Sequence, residues 1–150
     1  MMEKYVRKAE NKDLIRIAEI FIFNYRLNFY PIFKSDEFYF IELQSDKLAE
    51  SFKQRINNIW VYDDGAVKGF IEIEKGEVKK LFVEPVLQGN SIGSALLSFA
   101  LENFQVKFLW ALEKNTGAIN FYKRHGFSLT GEKKPEEDTD EYLVRMEINK

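Results

Sequence analysis

The sequence predicts an α/β fold in which helices cover both faces of a mixed β-sheet. Between residues 59 and 83, apolar and polar residues alternate at the period of a strand, whereas over 92–100 the apolar residues recur at helical spacing. A strand ending at Val83, the helix that follows it and a strand at 108–112 form a β-α-β unit, so this strand pair should be parallel with a right-handed crossover. A length of 150 residues is usual for one domain, and we expect residues 1–150 to form a single one.

The first third of the chain is mostly helical in its pattern. A short strand is predicted at 5–8, and Asn11 is well placed to cap a helix that keeps its apolar spacing until Pro31. Aromatic residues crowd the stretch 29–40, which is typical either of core packing beneath an irregular connection or of a ligand-lining surface. A further helix is predicted from Ser45.

Strand patterning begins at Ile59 and continues to Val83. Within this stretch, the dipeptides DG at 64–65 and KG at 75–76 are typical of tight hairpin turns. The stretch should therefore form an antiparallel meander of three strands. The meander leads directly into a glycine-bearing loop, QGNS at 88–91.

The C-terminal third combines strands with one more helix. We expect a strand at 108–112, a helix over 116–124 that Gly126 closes, and two last strands at 127–129 and 142–148. The loop between the last two strands is acidic and contains Glu136, Glu137, Asp138 and Asp140.

The loop at 88–91 joins a strand to a helix that begins at about Ile92. Such a junction aims unpaired backbone N–H groups and the positive end of the helix dipole at one point, which suits an anion and above all phosphate. The loop has neither the Gly-Lys-Ser/Thr of a Walker A loop nor the G-x-G-x-x-G of a dinucleotide fingerprint. Glycine-containing turns of this kind also occur for purely structural reasons, so the loop alone leaves both interpretations open.

The composition excludes several kinds of site. The chain has no cysteine and one histidine, so thiolate catalysis and Cys-based zinc sites are excluded and no metal site is expected. The formal net charge of −2 gives no global attraction to nucleic acid. No apolar run approaches the roughly 20 residues that span a bilayer. We therefore expect a cytoplasmic protein that associates with neither nucleic acid nor membrane.

Two stretches of the C-terminal half resemble motifs of the GCN5-related N-acetyltransferase (GNAT) family. The stretch from Gln88 to Gly93 is similar to the family's acetyl-CoA motif, Q/R-x-x-G-x-G/A. The stretch from Asn115 to Phe127 is similar to its next motif, N-x-x-A-x-x-F-Y-x-x-x-G-F, and the order and spacing of the two also fit the family. The resemblance implies a GNAT-like single domain, with a mostly antiparallel sheet and one parallel pair that splays around the cofactor, acetyl-CoA.

The resemblance also implies roles for individual residues. The pyrophosphate of acetyl-CoA would be bound by the loop and the first helical turn, namely Gln88, Gly89, Asn90, Ser91, Ile92, Gly93 and Ser94. The pantetheine arm would pair with free backbone groups of Leu81, Phe82 and Val83, whose N–H groups would also stabilise the oxyanion. Asn115 would hydrogen-bond the same arm, and Tyr122 falls on the family tyrosine that protonates the departing thiolate.

The general base is the least constrained of these roles. Glu77 falls where some family members have a catalytic glutamate and is the first candidate. An ordinary solvated side chain would also explain a glutamate at that position. Glu72 on the neighbouring strand is the second candidate, and a water relay could replace both.

Ser91 departs from the family motif, which usually has glycine at this position. If the backbone there needs a positive φ, serine costs on the order of 1 kcal/mol. If it does not, the hydroxyl adds a phosphate donor or a helix cap. In either case Gly89 and Gly93 remain as the loop's glycines.

The function implied by the resemblance is transfer of the acetyl group from acetyl-CoA to a primary amine by direct attack. The acceptor is a small-molecule amine or a protein or peptide amine, and the acidic loop favours a cationic one. The alternative is a catalytically silent module that binds acyl-CoA, and a plain interaction domain built on the aromatic stretch is a third reading. A homodimer is also possible for this family.

Overall fold

The computed structural model describes residues 2–137 and 139–149 and contains one seven-stranded sheet. The strands are β1 (Val6–Lys8), β2 (Ile59–Asp63), β3 (Val67–Glu74), β4 (Glu77–Val83), β5 (Phe108–Leu112), β6 (Phe127–Pro135) and β7 (Tyr142–Ile148). Their order across the sheet is β1-β2-β3-β4-β5-β7-β6, and every neighbouring pair is antiparallel except β4 and β5. The predicted mixed sheet with one parallel pair is therefore confirmed.

Helices pack on both faces of this sheet. They are α1 (Leu14–Asn24), α2 (Tyr30–Phe33), α3 (Ser45–Lys53), α4 (Ile92–Asn103) and α5 (Thr116–Arg124). On one face, Phe21 of α1 and Phe52 of α3 are buried against Phe70 of β3. On the other, Leu96 of α4 is buried in a second cluster with Ile71 of β3. None of the helices in the described ranges is long and apolar enough to cross a membrane.

The parallel pair β4–β5 is unusually short. Only Glu77 with Phe108 and Val78 with Leu109 are in register, and the two strands then diverge. The register between β3 and β4 shifts at the same place, because Glu72 pairs with Lys80 but Ile73 pairs with Val78. Lys79 is thus the extra residue of a β-bulge, a feature that bends a strand and ends its pairing. The splayed pair predicted from the family resemblance is confirmed.

The N-terminal helices differ in detail from the prediction. A short 3₁₀ turn, Asn11–Asp13, precedes α1, so Glu10 and not Asn11 is the residue before the first helical turn. The helical path also does not stop at Pro31. The chain instead widens into a π-helical segment, Tyr25–Phe29, and continues as α2 to Phe33. Pro31 lies in the first turn of α2, a position at which proline is common in helices.

The aromatic stretch 29–40 is helical rather than irregular, because a second π-helical segment, Glu37–Glu42, follows α2. Tyr39 is buried in the same cluster as Phe21, Phe52 and Phe70, whereas Phe40 remains exposed. β6 is also longer than the predicted 127–129, with a register shift between Leu129 and Lys133. Asp138 of the predicted acidic loop lies outside the described residues.

Arg7 of β1 holds the sheet edge to the start of the first helix. Its guanidinium contacts Asp13 at 2.8 and 2.9 Å and Asp63 at 2.9 Å. Burial raises the pKa of Asp13, but the hydrogen bonds from Arg7 and from the Glu10 backbone outweigh burial, so that pKa is lowered. The pKa of Asp63 is lowered by the Gly65 N–H and then by Arg7. Both carboxylates therefore stabilise the fold above their unfolded pKa, near 4, and this contribution is lost as the pH falls below it.

We expect Arg7→Met to lower the free energy of unfolding by about 2 kcal/mol at pH 7, because it leaves the buried Asp13 carboxylate without its cation. The variant should also lose less stability than the wild type between pH 5 and pH 3. Urea unfolding at several pH values measures both effects. Lys133→Met, which breaks the exposed pair with Glu113, is the control and should change stability by less than about 1 kcal/mol. Parallel pH profiles for the wild type and Arg7→Met would contradict this account.

Candidate active site

A cavity of about 400 Å³ opens where β4 and β5 diverge. Its walls are the end of β4, the loop that follows, the first turn of α4 and one side of α5. Most of the residues predicted to bind the cofactor line it, namely Leu81, Phe82, Val83, Gln88, Gly89, Ser91, Ile92, Gly93, Ser94, Asn115 and Tyr122. Asn90 is exposed and is not among the lining residues.

The backbone of β4 faces the cavity at alternate residues. The Glu84 N–H donates to the Lys68 carbonyl at 2.8 Å, and hydrogen-bonded pairs alternate along an antiparallel ladder. Phe82 therefore bonds to β3, whereas the backbone groups of Leu81 and Val83 point into the gap that β5 has left. Of the three predicted backbone partners, Phe82 contributes only its side chain to the cavity wall.

The loop before α4 is built from residues with positive φ. Gly89 has φ 93°, and an added Cβ there would meet no atom of the described residues within 4 Å, so its conformation and not crowding demands glycine. Ser91 precedes the helix with φ 67° and makes no side-chain capping bond. Of the two possibilities for Ser91, the structure therefore shows the strained one. From Ile92 onward the backbone N–H groups of the first turn have no helical partner and face the same opening.

Ser91→Gly should raise the free energy of unfolding by about 1 kcal/mol, because glycine adopts this left-handed conformation without strain. Thermal unfolding measures the gain. Ser98→Gly, in the interior of the same helix, is the matched control and should destabilise by about 0.5–1 kcal/mol. A loss of stability in Ser91→Gly comparable with that of the control would show that serine is not strained there.

Two side chains of the helix ends are held by neighbouring groups. Asn115 caps α5, its Oδ1 accepting a hydrogen bond from the Ala118 N–H at 3.2 Å. The Ser94 hydroxyl lies 3.0 Å from Nε2 of His125, whose Nδ1 is 2.9 Å from the Phe121 carbonyl. The sequence predicted Asn115 and Ser94 as cofactor ligands, and the structure places both at the cavity while also giving each a role in the fold.

Tyr122 lines the cavity from α5. Its ring packs against Phe121 and Phe127, with centroid distances of 5.4 and 5.8 Å. Its hydroxyl makes no hydrogen bond to any residue in the described ranges. Burial raises the pKa of Tyr122 above the usual tyrosine value, so the hydroxyl keeps its proton at neutral pH and can donate it.

The structure does not bring Glu77 to this cavity. Glu77 begins β4 where the strand still pairs with β5 at Phe108, and its carboxylate lies 3.6 Å from Nζ of Lys79. Leu81 is four residues further along the strand, which corresponds to about 13 Å. The family motif places Glu77 correctly on β4. It does not show that the bulge, and with it the cavity, begins only after Val78.

The second candidate base, Glu72, belongs to a buried ion-pair cluster. Its side chain is 2% exposed, and Oε2 accepts a hydrogen bond from Nε of Arg55 at 2.9 Å. Oε1 lies 3.8 Å from Nζ of Lys80 and has no hydrogen-bond partner among the residues that the structure describes. Glu72 does not line the cavity either. Neither glutamate is therefore among the residues that line the cavity with Tyr122.

Among the cavity residues that were not predicted from the sequence, three have polar side chains, Asn24, Asn28 and Arg124. A signal for Asn24 was available, because it continues the buried stripe of α1 after Ile17 and Phe21, where a polar residue is unusual. No comparable signal marked the other two. In the described ranges no group of three or more acidic, histidine or cysteine side chains is arranged to hold a metal ion.

Comparisons with known proteins agree with this geometry. The chain is 35% identical over 72 residues to the peptidyl-lysine N-acetyltransferase YiaC of Escherichia coli, covering 47% of this chain and 49% of YiaC. It is 34% identical over 92 residues to the peptidyl-lysine N-acetyltransferase YjaB of Salmonella typhimurium, covering 60% of this chain and 59% of that protein. The matched segments thus span less than two-thirds of these curated relatives.

A solved structure and a family model extend the comparison. PaiA N-acetyltransferase of Thermoplasma acidophilum, solved in complex with coenzyme A, superposes with a TM-score of 0.73 at 19% identity, covering 93% of this chain and 96% of that one. This likeness concerns the fold. The model of the acetyltransferase (GNAT) domain matches residues 55–129, half of the 150 residues, including all of β4, the loop, α4 and α5. The chain therefore belongs to the GNAT acetyltransferase family.

Proposed function

We propose that this protein transfers the acetyl group of acetyl-CoA to a primary amine. The observation that supports it is the gap between β4 and β5, which joins unpaired backbone groups, a helix N-terminus and a protonated tyrosine in one cavity. An extended amide-containing arm pairs with strand backbone, and a pyrophosphate suits a helix N-terminus. The cavity thus fits both ends of acetyl-CoA.

The charge of the cavity also suits this ligand. The backbone N–H groups of Gly89 and of Ser91 to Ser94 would bind the pyrophosphate, and Leu81 and Val83 would pair with the pantetheine arm. Arg124 is the one cation among the described residues that line the cavity, and no described acidic side chain there opposes it. Anionic groups bind best where fixed donors and an unpaired cation converge.

The chemistry follows from the positions of Leu81 and Tyr122. Acetyl-CoA supplies an activated thioester, and the amine nitrogen forms a bond to its carbonyl carbon. The Leu81 N–H donates to the carbonyl oxygen as negative charge develops there. The carbon–sulfur bond then breaks, and the Tyr122 hydroxyl gives its proton to the sulfur, while the amine's surplus proton goes to a base or to water. No covalent bond to the protein forms.

Glu77 could accept that proton only through water, because of its distance from Leu81. Glu77→Gln should lower kcat by about tenfold, less than the 10²-fold or more typical of a base in direct contact. Steady-state rates over pH 6–9 measure it, and Glu74→Gln, whose carboxylate also lies near Lys79 at 4.0 Å, is the control. An unchanged kcat in Glu77→Gln would leave water itself as the base.

The acceptor is a primary amine, either of a small molecule or of a peptide. YiaC and YjaB are named for peptidyl-lysine acetylation, which favours a lysine side chain as the first acceptor to test. The cytoplasmic location and the homodimer remain predictions. The alternative function, a module that binds acyl-CoA without turnover, shares the cavity and differs only in the outcome of the acceptor experiment.

The test has two stages. Calorimetric titration with acetyl-CoA should give a dissociation constant in the micromolar range, and absence of binding would overturn the proposal. A panel of lysine peptides, polyamines and aminoglycoside-like amines is then assayed for release of free CoA thiol. Release with any of these amines supports the transferase. Binding without release across the whole panel supports the silent module.

A further inference from the structure

Asn24, the last residue of α1, connects three parts of the cavity. Its side chain is 2% exposed, and Nδ2 donates to the Val83 carbonyl at 2.8 Å and to the Ile20 carbonyl at 2.9 Å. Its Oδ1 accepts a hydrogen bond from Nε2 of Gln88 at 2.9 Å, and Nδ2 of Asn28 lies 3.4 Å from the same oxygen. One amide therefore links α1, the end of β4 and the first residue of the loop at 88–91, which is called the phosphate loop from here on.

The orientation of this amide is unambiguous. Both neighbours of Nδ2 are carbonyl oxygens, which accept and cannot donate, so exchanging the nitrogen and oxygen of Asn24 would place three oxygens together. All of its hydrogen-bonding groups are occupied. A buried amide costs free energy unless it is fully paired, and a paired one fixes the geometry of the groups it joins.

The contact with Val83 has a direct consequence for the gap between β4 and β5. The backbone groups of Leu81 and Val83 face this gap, but the Val83 carbonyl is already taken by Asn24. A bound arm can pair with Leu81 and with the Val83 N–H, whereas at the Val83 carbonyl it would have to share the acceptor with Asn24. Asn24 thus closes the ladder at one end, and through Gln88 it fixes where the phosphate loop begins relative to that end.

We propose that Asn24 is a positioning residue that sets the spacing between the pantetheine site on β4 and the phosphate site on the loop. The inference rests on the proposed function, because it assumes that acetyl-CoA binds in this cavity. A ligand that engages two sites through one tether gains affinity only when the sites are held at the spacing that the tether spans. Loss of Asn24 should therefore weaken the whole cofactor more than either of its halves.

The experiment compares acetyl-CoA with two fragments, pantetheine and adenosine 3′,5′-bisphosphate, by titration or by competition against acetyl-CoA. The variants are Asn24→Asp, which keeps the shape but removes both donors, and Gln88→Ala, which removes the side chain that links Asn24 to the loop. Gln88 is exposed, so its variant keeps the inference testable if Asn24→Asp fails to fold. Asn103→Asp is the matched control, because Nδ2 of Asn103 also donates to a carbonyl four residues earlier but at the exposed end of α4.

We expect each variant to bind acetyl-CoA about tenfold more weakly while the affinity for each fragment changes less than about threefold. Asn24→Asp should also cost less in a Gln88→Ala background than in the wild type, because Asn24 is connected to the loop through Gln88. Unchanged acetyl-CoA binding in both variants would overturn the inference. An equal loss for the fragments would also overturn it, because that pattern indicates general damage to the fold. Failure of the wild type to bind acetyl-CoA would instead refute the proposed function, and the positioning role with it.

Discussion

Tyr122→Phe should lower kcat by about 10²-fold and leave the dissociation constant of acetyl-CoA unchanged. The substitution removes only the proton donor, because the phenyl ring keeps its packing against Phe121 and Phe127. Initial rates with the best amine, together with calorimetric titration, separate the two quantities. Tyr142→Phe, on β7 and 45% exposed, is the control and should change neither.

The pH dependence gives a second measurement of the same role. An acid must be protonated to act, so its contribution is present below its pKa and is lost as the pH rises through that pKa. Because burial raises the pKa of Tyr122 above the usual value near 10, the wild-type rate should show no alkaline loss between pH 7 and pH 10 from this group. A tenfold weaker affinity for acetyl-CoA in Tyr122→Phe, with kcat retained, would reassign the tyrosine to binding.

Gly89→Pro should weaken acetyl-CoA binding by at least about 100-fold, because proline fixes φ near −65° and removes an N–H. Gly89 has φ 93° in the structure, so the loop cannot keep its path with proline at this position. An added Cβ at Gly89 meets no atom within 4 Å, and the loss should therefore stay local to the loop.

Calorimetric titration measures the affinity, and thermal unfolding verifies that the variant is folded. Gly131→Pro is the matched control, since Gly131 also has a positive φ of 91° and open space around it but lies in β6, away from the cavity. We expect the control to bind acetyl-CoA as the wild type does. Wild-type affinity in Gly89→Pro would mean that the phosphate site does not depend on this loop.

The sequence was most informative where structure is decided locally. The glycine loop, the helix from Ile92 and the strand that precedes them follow from nearest-neighbour patterns of polarity and from turn residues, and all lie where predicted. The positions of Asn115 and Tyr122 were also predicted, because both follow from where α5 begins. The short-range order of residues was sufficient for most of the cavity.

Features that depend on pairing between distant segments could not be predicted in this way. The position of Glu77 relative to the cavity depends on where β4 leaves β5, which is decided by one extra residue, Lys79, in the register with β3. The backbone angle of Ser91 is set by how the loop returns to α4. Asn24 and Gln88 are 64 residues apart and meet only because α1 crosses the end of β4.

Because of the bulge at Lys79, the function of β4 depends on whether the number of residues between the bulge and the cavity is odd or even. Val78, Leu81 and Val83 all face the α4 side of the sheet, although an uninterrupted strand would send Val78 and Leu81 to opposite sides. Adding or removing one residue between the bulge and Leu81 would exchange the two faces, turning the gap-lining backbone toward β3. A change of two residues would restore it. Length variation in this part of β4 is therefore compatible with a working cleft only in even steps.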